Sequence, residues 1–369
     1  MNKVFVRIII PIWLLFVIMN FAVPKKEFSE TENRMLSKFP TFSIGELFNG
    51  KFMQNIDDYI NDHFIGRDYW VSLKSGIDLG IGKRESNGIY IGKQALLENI
   101  KAPNQVYVQK NIDGMKRFMK RHSQQAYFML IPSASAIQPQ KLPPLAPTWD
   151  QKAFINQVYS KLPSSIKPID AYTTLSHHKD EYIYYRTDHH WTTKGAYYSY
   201  LEACKAMNIT PRNESEFTIK PQTNKFYGTL SSKSGIQTVP SDVIESYDLG
   251  AKATFTTQNG NKVNNYDSIY FNQYLNEKDK YAFFLGKNEP IVTIKTNSNS
   301  GKKLLLFKDS YSHCYSQFLT KDYSEIVLLD MRYINTDIEK TMNIADFDQV
   351  LFLYSMDVFT HQNQLMKLR

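Results

Sequence analysis

The chain has 369 residues, of which 42% are hydrophobic, 22% charged and 14% aromatic. The length exceeds that of a usual single domain, and the composition is typical of a folded protein, not of a disordered or multi-span membrane chain. The net charge is +8, but the basic residues are scattered, which disfavours nucleic-acid binding. Cys204 and Cys314 lie far apart and form no CxxC pair or Cys/His cluster, so neither a zinc nor a redox site is expected.

The first 24 residues contain a nearly continuous apolar segment, from Val4 to Val23. About 20 residues at about 1.5 Å each can span a bilayer core, so this segment is predicted to be a transmembrane helix. A cleaved secretory signal is the alternative, although Phe21-Ala22-Val23 is a poor cleavage site. Because the tail before the segment is short, we expect a signal anchor at residues 1–24, with the rest of the chain outside the cell.

Residues 25–86 are predicted to form a stalk followed by an amphipathic helix. The first part, residues 25–40, is polar. Apolar side chains then recur at spacings of three and four residues, and this pattern ends near Gly66. They are Phe48, Phe52, Ile56, Tyr59, Ile60 and Phe64. We interpret the aromatic face of this helix as one that packs in a core, not one that binds a ligand.

Residues 87–369 are predicted to form one α/β domain. Residues 87–92 predict a turn into a short strand, and strands and helices then alternate. The predicted strands are 126–131, 166–171, 182–186, 303–307, 325–329 and 349–354, and the helices are 105–122, 151–162, 193–206 and 311–319. This order predicts a mostly parallel sheet flanked by helices on both faces. Residues 209–300 have short alternating runs and many polar residues, which predict a partly β insertion.

One short motif combines an acid with two histidines just before a predicted helix. Asp188 and His190 are two residues apart, so in an extended backbone their side chains point the same way and the carboxylate can orient the imidazole. His189 would then point to the opposite side. A metal pair or a structural corner are alternatives, but the other histidines have no spacing that would complete a metal site, so no metal is expected.

A second motif places a serine at the end of a predicted buried strand. Ser310 follows the apolar run 304–307, and α/β enzymes place their active sites at the carboxyl ends of such strands. Amides at the start of the following helix can stabilise an oxyanion. Ser310 alone can equally be an ordinary helix cap. Together with His190 and Asp188, it supplies the three groups that acyl transfer through a serine requires.

These two motifs together resemble a known family. Asp188-His189-His190-Trp191 and Lys308-Asp309-Ser310-Tyr311 resemble the DHHW family, relatives of the alginate O-acetyltransferase accessory proteins with an SGNH-hydrolase-like fold. Residues 29–36, 87–92, 226–235 and 330–333 also resemble family segments. The resemblance implies that Ser310 is the nucleophile, His190 the general base and Asp188 its orienting acid, in an order permuted relative to ordinary SGNH esterases.

Further residues are assigned to the site with less specificity. The amide of Ser310 is the first candidate for the oxyanion donor, and other oxyanion or substrate-binding candidates are Tyr311, Arg332, Tyr333, Trp191 and Tyr185. Aromatic rings suit sugars, although most of them are expected to pack in the core or on the surface; the candidates for contact with a glycan are Tyr184, Tyr185 and Trp191, beside the acid–base pair. His313 stands where family members often have Asn, and we expect it to face solvent. The acceptor is expected to bind to the 209–300 insertion.

The resemblance implies an extracytoplasmic, membrane-anchored O-acetyltransferase that moves an acyl group through Ser310 to hydroxyls of a cell-surface or secreted polysaccharide. Acyl-coenzyme A is not available outside the cell, so a multi-span membrane acyltransferase is expected to supply the acyl group. No metal or organic cofactor is expected. The same three residues would also serve a polysaccharide acetyl esterase. A non-catalytic glycan-binding subunit of an export complex is the third hypothesis.

Overall fold

A computed structural model describes residues 3–22, 24–29 and 34–368 of the chain. Residues 1, 2 and 23 of the predicted anchor and residues 30–33 of the predicted stalk lie outside the described residues. The strands are β1 (Phe28–Ser29), β2 (Arg34–Met35), β3 (Glu85–Ser86), β4 (Ile89–Ile91), β5 (Leu96–Glu98), β6 (Gln125–Ile131), β7 (Ile166–Ile169), β8 (Thr218–Phe226), β9 (Asp242–Asp248), β10 (Ala253–Asn259), β11 (Lys262–Tyr266), β12 (Ile291–Thr296), β13 (Lys303–Lys308), β14 (Glu325–Leu329) and β15 (Gln349–Ser355). The α-helices are α1 (Lys3–Ala22), α2 (Ile44–Phe48), α3 (Lys51–His63), α4 (Arg67–Gly80), α5 (Gln105–Arg121), α6 (Ala134–Ile137), α7 (Gln151–Ser160), α8 (Ala171–His177), α9 (Thr193–Met207), α10 (Thr229–Ser234), α11 (Ser312–Tyr315) and α12 (Met356–His361).

An eight-stranded sheet forms the centre of the molecule, with the strand order β11-β10-β12-β14-β13-β15-β6-β7. The five strands from β14 to β7 are parallel to their neighbours, and β12, β10 and β11 extend the sheet through antiparallel pairs. Parallel neighbours need a crossover connection, which α7 provides between β6 and β7. The structure therefore confirms the predicted α/β class with a mostly parallel sheet.

The parallel strands are buried on both faces. Leu304 and Leu306 of β13 belong to one hydrophobic core, and Leu305 and Phe307 belong to the other. Successive side chains of a strand point to opposite faces, and here helices cover both of them. This two-sided burial explains why the strands appear in the sequence as unbroken apolar runs.

Residues 209–300, predicted to be a partly β insertion, contain β8 to β12. β8 and β9 form a separate two-stranded sheet, whereas β10, β11 and β12 complete the edge of the central sheet. Phe255 of β10 pairs with Ile294 of β12, and both lie in the main core. Part of this region is therefore continuous with the α/β fold.

Side-chain caps determine where two of the predicted helices begin. The Asn104 side chain accepts hydrogen bonds from the N–H groups of Val106 and Tyr107 at the start of α5. The Thr192 hydroxyl accepts from the N–H of Gly195 at the start of α9. Such caps satisfy backbone donors that have no partner within the helix. Both helices begin where the sequence predicted.

Two predicted elements are wrong. Residues 182–186 form no strand, and their only ladder contact in the described structure is an isolated bridge between Tyr184 and Trp191. Residues 311–319, predicted as one helix, form the four-residue α11 followed by a 3₁₀-helix over Ser316–Lys321. The hydroxyls of Ser312 and Ser316 donate to backbone carbonyls in this segment, and such local bonds compete with a regular helix.

The N-terminal helices also differ from the prediction. Within the described ranges, no helix is both long and apolar enough to cross a membrane, so the predicted transmembrane helix is not supported. The predicted core face of α3 is wrong as well, because none of its residues is buried. A second helix, α4, follows α3 and was not predicted; the two pack against each other at the edge of the α/β fold.

Candidate active site

A tight loop between α8 and α9 carries Asp188, His189 and His190. The backbone N–H of Tyr185 donates to the carbonyl of His190 over 3.2 Å, which closes the loop across its base. Buried Asp242, at the start of β9, binds the backbone of this loop. Its carboxylate accepts from the N–H groups of Arg186 and Thr187 at 2.7 and 2.8 Å. This use of Asp242 was not predicted, since no local pattern links residue 242 to the loop.

The structure brings Asp188, His190 and Ser310 into one hydrogen-bonded array. The distance from His190 Nε2 to Ser310 Oγ is 2.7 Å, and that from His190 Nδ1 to Asp188 Oδ1 is 2.6 Å. With Nδ1 protonated and donating to Asp188, the Nε2 lone pair accepts from the Ser310 hydroxyl. This is the geometry in which an imidazole removes a proton from a serine.

The charge states of the array suit that proton transfer. Burial lowers the pKa of His190 to about 4; neighbouring His189 adds to this effect and Asp188 opposes it. Burial alone would raise the pKa of Asp188, but the two adjacent histidines and the hydrogen bonds from His190 hold it well below its ordinary value. At neutral pH the carboxylate is therefore charged, and the imidazole is neutral and able to act as a base.

The second oxygen of Asp188 is bound by the start of α10. Asp188 Oδ2 accepts from the N–H of Thr229 at 2.8 Å and from its hydroxyl at 3.0 Å. Gly228 makes this approach possible, because a Cβ on it would lie 2.3 Å from both the Cβ and Oδ2 of Asp188. Gly228 and Thr229 fall within the FYGTLSSKSG segment, residues 226–235. The family resemblance marked that segment without assigning it a role.

Ser310 lies two residues after the end of β13, and Asp309, between them, anchors the turn. The buried Asp309 carboxylate accepts from the backbone N–H and the hydroxyl of Ser355, at the end of adjacent β15, over 2.7 and 2.6 Å. It also accepts from the N–H of Tyr311 at 3.0 Å. Among the described residues, the Ser310 N–H donates a hydrogen bond to no acceptor. That amide is thus available to an oxyanion at the serine.

The ring of Tyr281 contacts the His190 imidazole, and this contact was not predicted from the sequence. The Tyr281 ring stacks on that of His190, with centroids 3.9 Å apart and an interplanar angle of 12°. Its hydroxyl donates to the carbonyl of Ser310 over 3.2 Å. The ring therefore holds His190 from one side. Tyr281 lies in a 3₁₀-helix of the 209–300 region, and no sequence motif marks it.

A buried charged cluster lies behind Ser310. Lys308 Nζ is 2.9 Å from His313 Nε2 and 3.3 Å from Asp330 Oδ2. Arg332 donates to both oxygens of Asp330, at 2.8 and 2.6 Å. The expectation that His313 faces solvent is therefore wrong: its side chain is buried, and its Nε2 is the partner of Lys308. Burial lowers the pKa of both His313 and Lys308. Burial would raise the pKa of Asp330, but the charges of Lys308 and Arg332 hold it below its ordinary value.

His189 lies beside His190 and not on the opposite side as expected. The two rings have centroids 3.9 Å apart, and His189 Nδ1 lies 2.7 Å from the Thr229 hydroxyl. In the described part of the chain, Asp188, His189 and His190 are the one group whose ligand atoms are close enough for a metal ion. The hydrogen bond between Asp188 and His190 uses two of these atoms, so a metal there would displace the contact that orients His190.

The Ser310 side chain opens into a cleft of about 770 Å³. Of the predicted site residues, Ser310, His190, Tyr311, Arg332 and Tyr333 line it, and Asp188 lies behind His190. The expectation that Tyr184, Tyr185 and Trp191 contact a glycan is wrong. All three are buried in the core, where the Trp191 indole donates to the carbonyl of Tyr311 over 3.1 Å.

The walls of the cleft come from parts of the chain far apart in sequence. The 209–300 region, expected to bind the acceptor, supplies only Thr229, Leu230, Lys233 and Asn288. A larger share comes from the N-terminal helical segment, whose lining residues are Asn61, Phe64, Arg67, Trp70, Val71 and Lys74. The third wall is the end of β15 with α12. The 209–300 region instead uses its apolar side chains to complete the central sheet.

Two solved structures, both with TM-scores above 0.6, share this fold. A DHHW family protein from Eubacterium siraeum superposes with a TM-score of 0.64 at 24% identity, covering 77% of this chain and 95% of that chain. PatB1 of Bacillus cereus gives a TM-score of 0.63 at 19% identity, covering 76% of this chain and 99% of its own. The O-acetyltransferase domain of AlgJ from Pseudomonas putida gives 0.49 at 14% identity, covering 76% and 99%.

Comparison with curated protein sequences gives no significant match. The family comparison is specific: the model for DHHW proteins matches residues 104–329, which include both the Asp188–Trp191 tetrad and Ser310. This match covers more than half of the sequence. The chain therefore belongs to the DHHW protein family.

Proposed function

We propose that the protein is an O-acyltransferase that carries an acetyl group on Ser310 and transfers it to hydroxyls of a cell-surface or secreted polysaccharide. The observation that carries this proposal is the hydrogen-bonded array from Asp188 through His190 to Ser310 Oγ at the floor of an open cleft. A neutral imidazole held at 2.7 Å from a serine hydroxyl has no evident structural purpose, whereas acyl transfer requires it.

The proposed reaction has two halves that use the same base. In the first, His190 Nε2 takes the proton of Ser310, and Oγ attacks the acyl carbonyl of the donor. The bond to the leaving group then breaks, and the leaving group takes the proton from His190. In the second, His190 takes a proton from the acceptor hydroxyl, whose oxygen attacks the ester carbonyl. Ser310 leaves and regains the proton.

Asp188 stabilises the imidazolium that forms in each half and keeps Nδ1 protonated. The free N–H of Ser310 is the first donor to the tetrahedral oxyanion. Arg332 is the second candidate, since its guanidinium lines the cleft and is held by Asp330 in a two-point bond. Tyr311 is better explained as a support for the loop, because its hydroxyl is already bonded to the carbonyl of His189.

We propose that a multi-span membrane acyltransferase delivers the acyl group and that the domain faces the outside of the cell. The residues proposed for the chemistry are all side chains or amides of this chain, so the reaction as written uses no cofactor. Protease treatment of intact cells tests the location: a domain outside the membrane is degraded without lysis, and a protected one contradicts it.

Transfer to oligosaccharides in vitro tests the function. The full chain is incubated with an activated acetyl ester and a mixture of oligosaccharides, and acetylated sugar and free acetate are measured. We expect acetylated sugar with the unmodified chain and none with Ser310→Ala. Ser133→Ala is the matched control, because this serine also faces the cleft but bonds to Ser135 and Gln151 and not to a histidine. Acetate without acetylated sugar would indicate an esterase, and unchanged transfer by Ser310→Ala would refute the proposal.

A further inference from the structure

The helix α4, which no sequence pattern predicted, supplies one continuous face to the cleft. Arg67, Trp70, Val71 and Lys74 line it. Spacings of three and four residues place side chains on the same face of a helix, so these four form a single stripe. The same cleft contains Ser310. A ligand whose hydroxyl reaches Ser310 therefore has α4 beside it.

α4 is held rigidly against the α/β fold. The buried hydroxyl of Ser75 bonds to that of Ser86 at 2.8 Å and donates to the carbonyl of Ser234. Gly235 packs so closely on α4 that a Cβ there would lie 2.9 Å from the Cα of Ser72. Fixed walls lose little conformational entropy when a ligand binds. The stripe on α4 is therefore suited to position an acceptor precisely enough for reaction.

The stripe combines an aromatic ring with positive charge. Trp70 is 42% exposed and lines the cleft, and its indole N–H donates to the carbonyl of Ile65. Its ring also contacts those of Phe16 and Tyr69, with centroids 6.5 and 5.6 Å apart. Lys74 has 59% of its side chain exposed. Four cationic and two anionic side chains line the cleft; the cations are Arg67, Lys74, Lys233 and Arg332, and the anions are Glu98 and Asp357. Each cation also pairs with a carboxylate, but three of these four carboxylates, those of Asp68, Asp78 and Asp330, lie outside the lining. Sugar rings stack on aromatic faces, and an excess of cations favours an anionic ligand.

We propose that the α4 stripe is the acceptor subsite and that it takes an anionic glycan, one bearing carboxylate or phosphate groups. Trp70 stacks on a sugar ring, and the cations hold the anionic groups of the chain. This inference rests on the proposed acyl transfer for its role, since the bound glycan is the acceptor. It replaces the 209–300 region, which supplies few residues to the cleft, as the place where the acceptor binds.

Direct binding tests the subsite without any acyl donor. Calorimetry measures the affinity of the full chain for three tetrasaccharides: chitotetraose as the neutral probe, tetragalacturonate as the carboxylate and a phosphorylated mannotetraose as the phosphate. At about 50 mM salt we expect one or both anionic probes to bind about tenfold more tightly than the neutral one, and this gap to close at about 500 mM. Whichever anion binds more tightly identifies the preferred group.

Matched variants localise the effect. Lys74 and Lys83 both pair with Asp78 and have similar exposure, 59% and 57%, but only Lys74 lines the cleft. We expect Lys74→Gln to weaken the binding of anionic probes about threefold and Lys83→Gln to leave it unchanged. Trp70→Ala should weaken all probes about fivefold, whereas Ile77→Ala, which removes an exposed apolar side chain from α4 outside the cleft, should not.

The outcomes separate this proposal from the proposed function. Any of three results would overturn the proposed subsite: equal affinity for neutral and anionic probes, no measurable binding of any probe, or equal effects of the two lysine variants. In the transfer assay, Lys74→Gln should raise the KM for the acceptor and leave acylation of Ser310 unchanged. Binding as expected with no acylation of Ser310 would refute the transferase and leave the glycan site standing.

Discussion

Replacing Asp188 by Asn should abolish most of the acylation of Ser310 without changing the shape of the site. Both oxygens of Asp188 accept from a backbone N–H, Oδ2 from Thr229 at 2.8 Å and Oδ1 from His190 at 3.0 Å. In either orientation, the NH₂ group of the new amide therefore leaves one of these N–H groups without an acceptor, at a cost of about 1–3 kcal/mol. With the NH₂ group toward Thr229, the neutral amide still accepts from His190 Nδ1 but has no negative charge to stabilise the imidazolium.

With the NH₂ group toward His190, the imidazole instead takes the wrong tautomer. An NH₂ group at the position of Oδ1, 2.6 Å from His190 Nδ1, makes Nδ1 an acceptor and places the proton on Nε2. A protonated Nε2 cannot take the proton of Ser310. An equivalent change in other Ser-His-Asp enzymes lowers the rate about ten-thousand-fold, which corresponds to about 5 kcal/mol of transition-state stabilisation.

The assay is the burst of p-nitrophenol from p-nitrophenyl acetate near neutral pH, with thermal unfolding as the check that the variant folds. Asp357→Asn is the matched control. Asp357 also pairs with a histidine, His361 at 3.0 Å, and lines the cleft, but it has no contact with Ser310 or His190. We expect its burst rate to stay within about threefold of the unmodified chain. An Asp188→Asn variant with a rate that close to normal would refute the claim that the Asp188 carboxylate supports His190 as the base.

Three further predictions follow from the same geometry. Because burial lowers the pKa of His190 to about 4, the imidazole is neutral above that pH. The acylation rate should therefore be level from pH 8 to about 5 and should fall about tenfold per pH unit below about 4. A midpoint near pH 6.5 in the profile would contradict this. Gly228→Ala should displace Asp188 and lower the burst rate at least about a hundredfold, whereas Gly76→Ala on α4, where a Cβ has no neighbour within 4 Å, should leave it unchanged. Tyr281→Phe keeps the ring 3.9 Å from the imidazole and should lower the burst rate less than about tenfold. Tyr281→Ala removes the ring and should lower the burst rate far more. Equal losses in the two variants would show that the stacked ring does not position His190.

The central sheet and its helices could be predicted because their physical signals are local. Apolar runs such as residues 304–307 are buried on both faces, and residues such as Asn104 and Thr192 cap helices through contacts within three residues. The Asp188–His190 pair could also be predicted, because a spacing of two residues is enough to bring a carboxylate next to an imidazole. Ser310 could be assigned to the same site only because it follows a strand of the sheet and resembles a family motif.

The features that were missed depend on contacts between distant segments. The sequence gives no reason why Asp242 should bind the backbone at residues 186 and 187, or why the ring of Tyr281 should lie on His190. Tyr185 and Trp191 looked like ligand-binding aromatics because they adjoin the motif, but a tight loop turns both into the core. His313 looked exposed, and its burial depends on Lys308 as a partner.

The most direct test of the account is intact-mass measurement of the full chain after incubation with an activated acetyl ester, followed by peptide mapping. The account predicts one acetyl adduct, located on Ser310, absent from Ser310→Ala and from His190→Ala, and retained in Ser133→Ala. An adduct on another residue, or a folded chain that acquires no adduct from the ester, would contradict the claim that Ser310 is an acyl-carrying nucleophile.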